Sequence, residues 1–552
     1  MEWQTACTDW ADRLRAGQSI IPAPIFEDEA EQAVAVMREL KIVDAPGSPT
    51  IGQACVPWVF DFAKSVFGAY DVGSGRRLIS EWMLCIPKKN SKSTIAAAVM
   101  LTALIRNWRL SAEFIILAPT VEVANNAFAP ARDMVKHDEE LSDLLHVQDH
   151  IRTITHRQTG ATLKVVAADA STVGGKKAVG ILIDEMWLFG KQANAENMLR
   201  EACGGMASRP EGFVITLTTQ SDEPPAGVFK QKLQYARDVR DGIVEDKQFV
   251  PIIYEFPKEM LDEKEHLKTE NFHLVNPNMD YSVDAVFLER EYKKAVVAGE
   301  ESLRGFLSKH LNVEIGLNLR SDRWPGADFW EEQAKVPGIT LDELIERSEV
   351  IDIGIDGGGL DDLLGLGVLG RDRETGQWLL WTHAWAHPSV LERRKSEAQR
   401  FQDFAKDGDL TLVRQMGDDV AEVAEIVALV HESGMLDKIG VDPSGLGGIL
   451  DALMELGIPE DKVIGISQGW KMTGAIKTAE RKLAEGVLVH GGQPLMNWCV
   501  GNAKIEPRGN AVIITKQAAG TAKIDPLMAM FNAVTLLSLN PAASTEAELF
   551  FV

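Results

Sequence analysis

The feature that most constrains this chain is a series of short apolar runs, Trp82–Ile86, Phe114–Leu117, Leu163–Ala167, Ile181–Ile183 and Phe213–Leu217, separated by polar or helix-patterned stretches. Runs this short, apolar throughout rather than alternating, are the signature of strands buried on both faces. Strands that alternate with helices need crossover connections, so a doubly wound α/β domain with a mostly parallel sheet is expected. A second α/β series starts at Val350-Ile-Asp-Ile-Gly-Ile355, after periodicity lapses around Gly316–Gly326. At 552 residues the chain is too long for one core, since domains typically hold about 50–250 residues. We divide it into an N-terminal helical segment (1–50), a first α/β domain (51–315), a linker (316–348) and a second α/β domain (349–552).

Charge excludes one broad class. With 81 acids against 57 bases the chain carries a net charge of −24, which argues against a protein that coats nucleic acid with its whole surface. Any DNA contact must be local. Five scattered cysteines, Cys7, Cys55, Cys85, Cys203 and Cys499, show no CxxC spacing, so neither a disulfide framework nor a zinc site is indicated and a reducing compartment fits. The apolar stretch Ile95–Ile105 is far shorter than the ~20 residues a membrane helix needs, and no span or export signal is expected.

The first apolar run leads into Pro87-Lys-Lys-Asn-Ser-Lys-Ser-Thr94 and then the helix pattern from Ile95. Strand, tight polar loop and helix are the context of a phosphate-binding loop: backbone N–H groups and a helix N-terminus face the phosphates, and a lysine reaches their oxygens. Against GxxxxGK[ST], Ile86 and Ser91 stand at the two glycine positions, while Lys92 and Ser93 are present. Downstream, Val179-Gly-Ile-Leu-Ile-Asp-Glu185 is an apolar strand ending in two acids. That pair suits an ATPase, with Asp184 holding Mg²⁺ alongside Ser93 and Glu185 polarising the attacking water. Thr218, Thr219 and Gln220 end another strand and could sense the γ-phosphate.

The C-terminal half repeats the theme of acids at strand ends. Asp356 closes Val350–Asp356 before Gly357-Gly-Gly, Asp442 closes Lys438–Asp442, and Asp525 opens a helix-like stretch. Three carboxylates are what a two-metal phosphodiesterase needs, because each hard cation wants oxygen ligands. Taken singly, a strand-end Asp is more often a turn or cap residue.

The loop at 87–93, together with Pro57-Trp58, Phe67-Gly68, the Asp184-Glu185 strand and Thr218-Thr219-Gln220, resembles the large terminase subunits of long-tailed, double-stranded DNA bacteriophages. The likeness covers roughly residues 50–535. It implies a P-loop ATPase domain of the ASCE type followed by an RNase H-like nuclease domain, acting together as a DNA-packaging motor in the host bacterial cytoplasm. It implies that Lys88, Lys89, Asn90, Ser91, Lys92, Ser93, Thr94, Asp184, Thr219 and Gln220 bind ATP and its Mg²⁺. It also implies that Asp356, Asp442 and Asp525 converge as catalytic metal ligands for Mg²⁺ or Mn²⁺, helped by Asp362 or its rival Asp361. Implied partners are double-stranded DNA, a small terminase subunit, a portal protein and further copies in a ring, expected to be a pentamer. A trans-acting cation is expected from Arg200, Arg209, Lys176 or Lys177, among which spacing does not choose. Ser467-Gln-Gly-Trp-Lys471 resembles a family loop, and Lys471, Lys504 and Lys516 are candidate DNA-backbone contacts. One departure is Val59, where the family usually has a glutamine that reads adenine.

Two other classes remain in view. A helicase-like translocase-nuclease of recombination or repair shares the ATPase strands, but further helicase motifs are missing from the C-terminal half. A docking subunit with decayed sites would account for Ile86, Ser91 and Val59, but not for the retention of Lys92, Asp184, Glu185 and the three C-terminal acids.

Overall fold

The computed structural model describes residues 2–167, 178–192, 194–315, 324–358, 362–394, 397–415, 417–442, 446–508, 511–516 and 523–544. The chain forms two compact units, Met1–Ile315 and Gly316–Val552. The five apolar runs of the N-terminal half all fall in one eight-stranded sheet. Its strands are β1 (Glu81–Cys85), β2 (Glu113–Ala118), β3 (Leu145–Gln148), β4 (Thr153–His156), β5 (Thr162–Ala167), β6 (Ala178–Ile183), β7 (Phe213–Thr218) and β8 (Phe249–Ile253). Their order is β8-β1-β7-β6-β2-β5-β4-β3. Six strands run parallel; β4 pairs antiparallel with β5, and β3 antiparallel with β4. Strand β8 was not foreseen, because Pro251 interrupts its apolar pattern; it lies at the sheet edge against β1, where a strand tolerates proline.

The order has a chemical consequence. Strand β7 lies between β1, which feeds the phosphate loop, and β6, which ends in Asp184-Glu185. Thr218–Gln220 therefore emerge between the loop and the acids. The helix Lys92–Ile105 behind the loop is enclosed almost throughout, and its run Ala96-Ala97-Ala98 shares a core with Trp82 and Phe114. Leu14, Ala33, Val34, Met37 and Leu40 of the N-terminal helices join the same core.

The second unit is built on β9 (Ser348–Gly357), β10 (Leu364–Asp372), β11 (Trp378–Ala386), β12 (Leu410–Leu412), β13 (Leu436–Val441), β14 (Val463–Gly465) and β15 (Leu488–His490). The order is β12-β11-β10-β9-β13-β14, with β15 also pairing β11. Strands β9 to β11 form an antiparallel meander, and β13 runs parallel to β9. A hairpin of β16 (Ala503–Arg508) and β17 (Ala511–Lys516) stands apart from this sheet. The helix Asp525–Leu537 packs closely on β9 and β10: a Cβ added at Gly365 would meet the Asp525 backbone at 2.6 Å, and one at Gly367 would meet Met530 N at 3.0 Å.

Residues 324–348, expected to be linker, belong to this second core. Trp324 and Trp330 are fully buried in it, and Leu344 packs under β9 and β10. Large apolar side chains spaced without strand or helix periodicity hid this role in the sequence. Among the described residues no helix is long and apolar enough to cross a membrane.

Candidate active sites

The phosphate loop follows directly from β1. Ile86 N–H donates to Thr218 O at 3.0 Å, which ties the start of the loop to β7. Lys89 and Ser91 then adopt left-handed backbone, with φ of 75° and 56°. Glycine enters this region freely and other residues do so at a cost of about 1–2 kcal/mol. Ser91, at the position the usual pattern gives to glycine, thus keeps glycine's conformation without glycine's backbone freedom.

Asparagines hold the loop in this form. Asn90 is fully buried; its Nδ2 donates to Asn276 Oδ1 at 2.8 Å and to Pro87 O at 3.2 Å, and its Oδ1 accepts from Asn278 N at 3.1 Å. Asn278 Nδ2 donates to Asn90 O at 3.2 Å, while Trp58 Nε1 donates to Asn278 Oδ1 at 2.8 Å. Ser282 Oγ donates to Lys89 O at 2.7 Å. The Asn90 side chain is thereby committed to the protein, so any grip on a nucleotide from this residue comes through its main chain. Lys88 and Lys89 are exposed, and Ser93 and Thr94 are half-buried in the first turn of the helix. Val59 is buried in the apolar core and offers no polar atom for a base.

Lys92 crosses to the acids: its Nζ lies 2.8 Å from Glu185 Oε1. Glu185 has φ 51°, a third left-handed non-glycine residue, and its other oxygen accepts from Trp187 Nε1 at 2.5 Å. Strain concentrated at one place is characteristic of functional sites. Burial works to raise the Glu185 pKa, but Lys92, the Trp187 N–H and Lys309 outweigh it and the carboxyl is held below its ordinary value. Asp184 shows the opposite balance. It is fully buried; burial and then the Glu185 charge push it up to about 6, against Lys92, the Glu185 N–H and the Ser93 hydroxyl. Its Oδ1 accepts from Glu185 N at 2.9 Å, and its Oδ2 has no hydrogen-bond partner among the described residues. Thr219 and Gln220 are fully buried at the end of β7, and both polar atoms of the Gln220 amide also lack partners there.

In the second unit, register brings two acids together. Ile355 pairs with Val441 in parallel β9 and β13, so Asp356 and Asp442 leave the same end of neighbouring strands. The third comes from the helix Asp525–Leu537, whose first residue reaches Gly357: a Cβ added there would lie 3.2 Å from Asp525 Oδ1. Gly357 also has φ 90°, so its conformation and the approach of Asp525 both favour glycine. Gln468 Nε2 donates to Asp356 Oδ1 at 3.0 Å, and Asn532 Nδ2 donates to Ile355 O at 2.8 Å. Asp362 is paired with the buried Lys523. Among the described residues no three His, Cys, Asp or Glu side chains are gathered closely enough to hold an ion. Convergence here is of strand ends rather than of a preformed cage.

Of the remaining candidates, Lys471 is exposed and Lys504 half-buried. Arg200 pairs with Glu196 on an exposed helix face, and Arg209 Nη1 donates to Ser208 O at 3.2 Å. Lys176, Lys177, Asp361 and the Lys516 side chain lie outside the described residues. Trp187, Asn276, Asn278, Lys309 and Asn312 were not foreseen as site residues. The Asn276-Pro-Asn278 turn was the one available signal, and it spoke only of a turn.

Two family models match the chain. "Terminase large subunit, ATPase domain" covers residues 57–238 and "Terminase large subunit, endonuclease domain" covers 244–540. The large terminase subunit of Enterobacteria phage HK97 is 22% identical over 517 residues, covering 90% of this chain and 91% of that protein. The large terminase subunit of Lactococcus phage p2 is 21% identical over 476 residues, covering 83% and 82%. The crystal structure of the HK97 large terminase aligns over 92% of this chain and 99% of that one, with 20% identity and a TM-score of 0.48.

Proposed function

The chain belongs to the terminase large-subunit family, an ATPase joined to an endonuclease, and from that premise we propose that it uses ATP to drive double-stranded viral DNA into a procapsid and cuts concatemeric DNA with its second unit. The observation that carries the motor reading is the meeting of Lys92, Asp184, Glu185 and the β7 end within one buried site.

In this reading the loop N–H groups and Lys92 hold the triphosphate, with the positive end of the Lys92–Ile105 helix behind them. Ser93 and Asp184 hold Mg²⁺, and Glu185, kept ionised by its cationic neighbours, orients and deprotonates the attacking water. Gln220, placed between the loop and the acids, relays loss of the γ-phosphate. Lys88, Lys89, Asn90, Ser91, Thr94 and Thr219 complete the nucleotide-binding set.

For the nuclease, Asp356, Asp442 and Asp525 offer only hard oxygen donors, which fits Mg²⁺ or Mn²⁺, and Asp362 is assigned the helper role. Bound divalent ions would supply charge neutralisation and an activated water for in-line displacement at phosphate. The protein's part is to hold the acids on two strand ends and a helix start, with Gln468 fixing the orientation of Asp356.

The working assembly we infer comprises a ring of copies, five by family analogy, docked on a portal protein and loaded by a small terminase subunit in the host bacterial cytoplasm. The test is protection of DNA from added nuclease in the presence of procapsids, small subunit and ATP. Wild type should protect full-length DNA and Glu185→Gln should protect none. Equal protection by both would remove the motor reading, and no ATP turnover by wild type would favour a docking subunit.

A further inference from the structure

Resting on the reading of Glu185 as the base, we propose that Lys309 is a positioning residue of the ATPase, fixing the Trp187 ring, and through it the Glu185 carboxylate, relative to the phosphate loop. Lys309 lies near the end of the helix Glu300–Leu311, more than 200 residues from the loop in sequence, yet its side chain is almost completely buried. Its Nζ stands 3.0 Å from the centroid of the Trp187 ring and donates to Gln220 O at 2.7 Å. Its own carbonyl accepts from Lys88 N at 2.8 Å. One residue thereby touches the phosphate loop, the end of β7 and the indole beside the base.

The next turn repeats the connection. Asn312, left-handed at φ 51°, accepts from Gln220 N through Oδ1 at 3.1 Å and donates to Tyr254 O at 2.9 Å. Gln220 is thus held at both its N–H and its C=O by one helix end. The Trp187 indole is pinned on three sides: Nε1 donates to Glu185 Oε2 at 2.5 Å, the backbone N–H donates to Thr218 Oγ1 at 3.1 Å, and the face carries the Lys309 ammonium. A cation on an indole face is held by the ring quadrupole; burial also lowers the Lys309 pKa to about 7, so the ammonium form that grips the ring is fully populated only below that pH, while the contacts of Nζ with the ring and with Gln220 O fix its place. A base whose orientation depends on that indole should lose rate, not substrate affinity, when the cation is removed.

The experiment measures steady-state ATP turnover of the full chain for wild type, Lys309→Met, Lys309→Arg, Trp187→Phe and the Lys309→Met/Trp187→Phe double variant, with Glu185→Gln as reference. Lys309→Met is expected to lower kcat on the order of 10- to 100-fold with KM for ATP within about threefold. Trp187→Phe, which lacks the indole N–H, should do the same, the double variant should be no worse than the poorer single, and Lys309→Arg should restore much of the rate. Wild-type kcat in either single variant, a loss confined to KM, or multiplicative losses in the double variant would overturn the proposal. If Lys309→Met does not fold, Lys309→Gln replaces it in the single and the double variant, and the same outcomes decide. Turnover by Glu185→Gln at the wild-type rate would instead remove the underlying reading of Glu185, whatever Lys309 does.

Discussion

Lys92 Nζ and Glu185 Oε1 form an ion pair at 2.8 Å in which the two side chains are only 8% and 16% exposed. The pair joins the end of the phosphate loop to the end of β6 across β7. Charges so enclosed lean on each other, and removing one strands its partner at a cost of about 3–5 kcal/mol.

Single variants Lys92→Met and Glu185→Gln should therefore each unfold more easily than wild type. The double variant should recover part of the loss, with a coupling of roughly 1–3 kcal/mol. Denaturant unfolding of all four proteins checks this. Strict additivity would mean that the two groups are not energetically linked.

Asp184 gives a prediction of opposite sign. Its folded pKa, raised to about 6 chiefly by burial, lies above the unfolded value of 3.8, so the unfolded chain gives up the proton first. Stability then declines as pH rises from about 4 to 6, and above that window the ionised group costs about 3 kcal/mol. Asp184→Asn should abolish ATP turnover yet melt at or above the wild-type temperature at pH 8, with the difference shrinking toward pH 4.5. Melting curves at the two pH values decide it; a variant less stable at pH 8 would contradict the account.

Ser91→Gly should be tolerated. It relieves a left-handed serine at about 1–2 kcal/mol while loosening the unfolded chain by about 0.4–1 kcal/mol. The net change is a stabilisation of about 0–1.6 kcal/mol, with ATP turnover retained. Loss of turnover in Ser91→Gly would show that the hydroxyl, rather than the backbone shape, is what the loop needs.

Gly365→Ala should damage the nuclease selectively. Its Cβ would press on the Asp525 backbone at 2.6 Å, and backbone on a packed helix cannot swing aside. DNA cleavage should fall at least about tenfold while ATP turnover, housed in the other unit, persists. Gly448→Ala, in a helix with open space around its Cβ, is the control and should cut as wild type does.

Five strands of the ATPase sheet were legible because they appear as unbroken apolar runs, whereas β3 (Leu-His-Val-Gln) and β4 (Thr-Ile-Thr-His) mix polar and apolar residues and gave no such signal. Strand β8 was not legible either, since Pro251 imitates a loop and only the edge position excuses it. Lys92, Asp184 and Glu185 could be picked out because each sits at a fixed offset from a strand end. Asn276, Asn278, Lys309 and Asn312 could not. Asn276 and Asn278 hold the loop at Asn90 from 186 and 188 residues downstream, and Lys309 and Asn312 hold Gln220 from 89 and 92 residues away; no local spacing records such a tertiary hydrogen bond. Trp324 and Trp330 read as linker for a related reason: an anchor that fills a core without a repeating pattern has no period to detect. The acids at 356, 442 and 525 were visible singly, while their approach depends on the β9–β13 register and on Gly357 and Gly365.

One chain here carries two separable engines. The most direct test of that separation measures ATP turnover and plasmid cleavage with Mg²⁺ or Mn²⁺ on the same preparations of wild type, Glu185→Ala and Asp356→Ala. Glu185→Ala should lose turnover by at least about 100-fold and still cut, and Asp356→Ala should turn over ATP and not cut. Either variant losing both activities while folded, or either keeping both, would contradict it.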